Sequence, residues 1–196
     1  MKRRLVFPLA LGMLFAGTAS GATAQDVEAE LHLFGQSAGH QAGPAGLGGL
    51  IGVPSGGTVL PGFRIGVRLS DRLVIATGMS GGWSLFEGPG SEEGVQVWSI
   101  QIPVEVKLYL AMPAVGDVAP LFRLVGTWSY SDFGGWTSER GLGAAGLLGA
   151  QYLATERFGI LLEGGVDWST HALRGGGDQR RTQLGVTWRT GLVLRI

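Results

Sequence analysis

Residues 95–110, V-Q-V-W-S-I-Q-I-P-V-E-V-K-L-Y-L, constrain the fold more than any other stretch. Trp98, Ile100, Ile102, Val104, Val106, Leu108 and Leu110 recur at every second position, with Val97, Ser99, Gln101, Glu105, Lys107 and Tyr109 between them. A period of two marks a β-strand, because successive Cβ atoms point to opposite faces. This strand is about three times the common length, and its apolar face is unbroken. A tilted strand needs about 9–11 residues to cross the hydrocarbon of a bilayer. The stretch therefore predicts a membrane-spanning strand whose ends stand in headgroups and water.

Residues 1–24 read as a cleavable signal peptide. Lys2, Arg3 and Arg4 form the positive end, 5–16 the apolar centre, and Ala22-Thr23-Ala24 the small residues before a cut at Gln25. The apolar run falls well short of the roughly 20 residues of a transmembrane helix. The domain is expected over 25–196. Without the first 24 residues, twelve Lys and Arg face fifteen Asp and Glu, a net charge of −3. That balance argues against nucleic acid, whose binding needs clustered positive charge. The absence of cysteine excludes disulfides, thiolate metal sites and lipid attachment at an N-terminal cysteine. Charged residues are 15% of the chain and mean hydropathy is +0.25, yet no later segment is a hydrophobic helix. A barrel suits this composition.

Alternation recurs along the chain and gives eight strands. Ala29, Leu31 and Leu33 oppose Glu28, Glu30 and His32 over 28–36. Phe63, Ile65, Val67 and Leu69 oppose Arg64 and Arg68, and a turn at 70–72 leads to Leu73, Ile75, Thr77, Met79 and Trp83. After 95–110 come 120–131, a Gly/Ala-rich 141–153, a strand from Phe158 to Trp168, and a last one from Leu184 to Ile196. Long connections at 37–57, 86–94, 132–140 and 171–181 alternate with short ones at 70–72, 111–119 and 154–157.

Alternation fits a soluble lipocalin-like barrel as well as a membrane barrel. Three features favour an apolar exterior. The long and short connections fall at opposite ends, as in outer-membrane barrels. Aromatics group by depth, with Trp83, Trp98, Trp128, Tyr130 and Trp168 toward the long loops and Phe63, Phe122, Tyr152 and Phe158 toward the short turns, as two interfacial girdles. Trp188 is nearer mid-strand. The polar face carries nearly balanced charge: Arg64, Arg68, Lys107, Arg123, Arg189 and Arg195 against Glu28, Glu30, Glu105, Glu163 and Asp167. A narrow lumen holds ions when they are paired and hydrogen-bonded. Counting from the turns predicts Glu163 with Arg189 and Glu105 with Arg123, and closure predicts Glu30 near Arg195.

Pro103 interrupts the long strand and removes a ladder hydrogen bond, so in a closed barrel it must face the lumen. Gln101-Ile-Pro-Val-Glu-Val-Lys-Leu-Tyr109 resembles the fourth-strand pattern, I-P-(apolar)-x-x-K-(Tyr/Phe), of the small outer-membrane β-barrel domain family, the eight-stranded OmpA/OmpX-like barrels. The resemblance extends loosely over 25–196. It implies an all-β, antiparallel up-and-down transmembrane barrel in the outer membrane, inserted by the barrel-assembly machinery. Members of that family usually end on an aromatic residue, whereas this chain ends on Ile196.

Gly141-Leu-Gly143-Ala-Ala-Gly146 matches the dinucleotide-binding G-x-G-x-x-G, but it follows a polar loop and opens onto a strand pattern instead of a helix. Asp167, Ser169 and His171 resemble an acid, nucleophile and base at the loop end of a strand, although lipid A deacylases carry the pair in the opposite order, His-x-Ser. His32 and His40 complete the histidines. No catalytic, cofactor or metal site is expected. The sequence predicts a monomeric, non-enzymatic outer-membrane barrel with a side-chain-filled lumen, in contact with outer-membrane lipid and lipopolysaccharide. A lipid-modifying enzyme and a soluble ligand-binding barrel are the alternatives.

Overall fold

The computed structural model describes residues 27–37, 41–42, 58–86, 95–133, 138–174 and 180–196. The signal-peptide reading of 1–24, His40 and most of the 37–57 loop lie outside them, as does the side chain of Trp83. The strands are β1 (Val27–Ser37), β2 (Gln41–Ala42), β3 (Thr58–Ser70), β4 (Leu73–Phe86), β5 (Val95–Tyr109), β6 (Val118–Phe133), β7 (Ser138–Leu153), β8 (Phe158–Arg174) and β9 (Arg180–Arg195). Each pairs antiparallel with its neighbour, and β1 pairs with β9 to close the sheet. Because β2 only prolongs the β1 side of the seam against β9, the wall has eight staves.

The ladder also fixes the stagger. From Val27 the register passes through Val67, Ile75, Val106, Leu124, Gly146, Val166 and Val186 and returns to β1 at Ser37, ten residues further along. With about 3.3 Å per residue and about 4.8 Å between strands, that shear tilts the strands by about 40°. The hydrogen bonds that close the wall leave no free edge, the condition for spanning a membrane with strands.

The molecule is inside out relative to a soluble barrel. Arg123, Arg189, Tyr109 and Lys107 are its largest fully buried side chains, whereas Leu148 is 63% and Leu162 64% exposed. A lipocalin-like interior would be apolar, so this distribution overturns the soluble alternative. Pro103 faces inward and is buried. Opposite it the β4–β5 ladder lapses between Thr77↔Val104 and Ser80↔Gln101, and the Thr77 hydroxyl donates to the Pro103 carbonyl at 2.7 Å.

Strands β7, β8 and β9 run three to six residues further toward the long loops than the alternation predicts. Hydropathy marks where a wall leaves lipid, but hydrogen bonding continues above the membrane, where outward residues are free to be polar. Trp128, Tyr130 and Trp168 form an upper rim, with Trp98 edge-on to Tyr130 at 6.3 Å. From the tilt, this rim stands about 25 Å above Tyr152 and Phe158, the height of the apolar band of such barrels. Phe122 lies nearer the lower rim. Phe63 departs from the prediction: it pairs with Leu31 and Met79, seven residues from the turn at Ser70, and sits near mid-height.

Candidate functional site

The alternation of β1, β3, β5, β6, β8 and β9 sends their charged residues into the lumen, where tilt and closure decide which of them meet. Glu105 on β5, at the centre, accepts from three guanidiniums. Arg64 Nε donates to it at 2.7 Å, Arg123 at 2.5 Å, and Arg189 through two nitrogens at 2.8 and 2.9 Å. Arg123 in turn joins three carboxylates, adding Glu163 at 2.7 Å and Glu30 at 2.9 and 3.1 Å. These groups are 0–3% exposed. A single buried pair seldom recovers the desolvation of its ions, but a lattice in which each ion has several opposite partners recovers far more.

A second hub lies toward the short turns. Glu28 meets the Lys107 ammonium, Arg68 at 3.1 Å, Arg195 at 3.5 Å and the Tyr109 hydroxyl at 3.1 Å. Lys107 also reaches Glu30 at 2.6 Å, and Tyr109 donates to Gln151 at 2.6 Å. The predicted Glu30–Arg195 neighbours are therefore replaced by Glu28–Arg195, because the closing register sets Glu28 opposite Arg195 and Glu30 opposite Val193. Glu163 and Arg189 are register partners, yet their closest approach is 3.6 Å. Each makes its shorter bonds to a different strand.

Toward the long loops the lumen widens into a cavity of about 50 Å³ among Arg64, Gln101, Thr127, Ser129, Asp167, Ser169, His171 and Arg189. That is room for a few water molecules and far below the ~300–1,000 Å³ of a ligand pocket. Here Ser169 Oγ and His171 Nε2 share a 3.0 Å hydrogen bond, and Glu139 Oε2 lies 3.8 Å from His171 Nδ1. The three face the lumen and not the bilayer. Sequence reasoning missed Glu139 because it falls in a stretch read as loop.

The glycine motif serves this same region. Gly141 pairs with His171, and a Cβ there would come within 2.6 Å of Nδ1 and 2.5 Å of Ser129 Oγ. It clears space for the imidazole on a strand where a nucleotide would need a helix N-terminus. Among the described residues no group of three His, Cys, Asp or Glu is placed to hold a metal ion.

No family model matches the chain, and no curated protein matches it in sequence. Solved structures do match in shape. The outer membrane protein OprG from Pseudomonas aeruginosa is 9% identical with a TM-score of 0.57, over 87% of this chain and 96% of that one. The E. coli Outer Membrane Protein W is 13% identical with a TM-score of 0.55, over 89% and 100%. The protein thus has the closed antiparallel barrel fold of small outer-membrane proteins.

Proposed function

We propose that this chain is a monomeric outer-membrane barrel, exported with 1–24 removed and inserted by the barrel-assembly machinery. Its lumen conducts nothing, and its role is to stabilise the envelope and to present its long-loop end to lipopolysaccharide, a partner or another cell. The observation that supports this most is the inverted polarity of the wall: ions within, an apolar belt about 25 Å tall without. The test is electrophoretic mobility of the protein from a membrane fraction in mild detergent, before and after boiling. A fast compact band that slows on heating is expected. Recovery from the soluble fraction with no heat shift would overturn the reading.

The Ser169–His171–Glu139 chain favours a second reading, a hydrolase acting at the lumen mouth. A hydroxyl bonded to an imidazole that faces a carboxylate is the arrangement that activates a serine nucleophile. This reading requires labelling of the folded barrel by a serine-directed phosphonate, and loss of that label in Ser169→Ala. An unlabelled wild type removes it.

A further inference from the structure

On the outer surface of β7, β8 and β9, just beyond the tryptophan rim, the register sets Arg140 opposite Ala172 and Ala172 opposite Arg180. All three are exposed and share the outward parity of Leu142, Trp168 and Leu184. Two arginines thus flank a methyl group on three adjacent strands, their Cα atoms about 10 Å apart at ~4.8 Å per strand. Neither makes an ion pair among the described residues. Among the described residues the nearest outward carboxylate, Asp132, lies on the far side of Arg140, opposite Ser138 on the β6 flank.

We infer that Arg140 and Arg180 form a clamp for the phosphomonoester of an outer-leaflet glycolipid. The inference rests on the outer-membrane reading above, which puts the long-loop end in the outer leaflet. Two guanidinium forks reaching inward over Ala172 can each give paired N–H bonds to one phosphate, the geometry that distinguishes arginine from lysine. A phosphomonoester carries about −1.5 to −2 near neutral pH, which matches two arginines, whereas the single charge of a phosphodiester does not. Thr170 and Thr182, two residues along their strands toward the membrane and half-buried, offer hydroxyls below the phosphate. Trp168 and Leu184 come next, where acyl chains would lie. The apolar belt lower down has no outward charge among the described residues.

The experiment titrates the folded barrel in detergent with lipid A and with the same lipid dephosphorylated, reading binding by tryptophan fluorescence. Wild type is expected to prefer the phosphorylated lipid by about tenfold or more. The preference should vanish in the Arg140→Ala/Arg180→Ala double variant and in Ala172→Glu, which puts a carboxylate in the clamp. Arg157→Ala, in the short turn at the other end, should keep it. Equal affinity for the two lipids, or a preference that survives in both clamp variants, would overturn the clamp. Heat-shifted mobility is measured on every variant. Failure of the clamp with the heat shift intact leaves the membrane reading standing, and loss of the heat shift from wild type removes both.

Discussion

Glu105 shows what a single residue does in a lumen of this kind. It is 1% exposed and is the common acceptor of Arg64, Arg123 and Arg189. Glu105→Ala leaves three buried guanidiniums short of a counter-charge, and we expect it to lower unfolding free energy in detergent by about 3–5 kcal/mol, the cost of breaking a buried ionic group. A double-mutant cycle separates the pairs more finely. Coupling between Glu163 and Arg123, 2.7 Å apart, should exceed that between Glu163 and Arg189 at 3.6 Å. Equal couplings would mean that register neighbours hold the lumen together and the cross-lumen contacts do not. Which residues face inward was legible from parity alone. Their partners were legible only across hairpins, where a turn supplies the count. Arg189 reaches Glu105 from a strand on the far side of the barrel, and Glu28 replaces Glu30 at a seam with no turn to count from.

At the scale of the element, the Gly/Ala-rich β7 was the hardest strand to read, because small residues blur the alternation that identifies a strand. The close approach of β7 and β8 supplies a reason for glycine on both strands: a Cβ at Gly149 of β7 would fall 2.3 Å from the carbonyl oxygen of Leu162 on β8. A Cβ at Gly165 would fall 1.9 Å from the carbonyl oxygen of Gly146, a backbone atom that cannot rotate away. Gly165→Val should therefore push β7 from β8 and lower the heat-shifted, folded fraction, at a cost of several times the ~1–3 kcal/mol of ordinary overpacking. Gly126 faces outward on β6, where the nearest atom to an added Cβ lies 3.9 Å away. Gly126→Val should fold as wild type does, and equal losses in the two variants would mean that β-propensity, not backbone approach, sets the glycine content. The same local view explains the misread strand ends. Arg140, Arg180 and Glu139 looked like loop because they are polar, yet they stand on strands that continue past the lipid.

For the whole molecule, eight strands and a shear of ten leave an interior that side chains can fill. It is filled by long ionic chains in two layers, around Glu105 and around Glu28, with Leu121, Leu147 and Leu161 at 0% exposure beside them. A solute crossing the barrel would have to part Arg123 from Glu30, Glu105 and Glu163 together. Each separation leaves ions unpaired in a medium of low dielectric, so the barrier is electrostatic as well as steric. Liposomes carrying the protein should then swell in small sugars and amino acids no faster than protein-free liposomes. Arg123→Gly removes the side chain that joins Glu30, Glu105 and Glu163, and if the network is the plug, that variant alone should admit the smallest solutes. Swelling by wild type that falls with solute size would mean that the ion pairs part readily, making the barrel a narrow channel in place of a closed post.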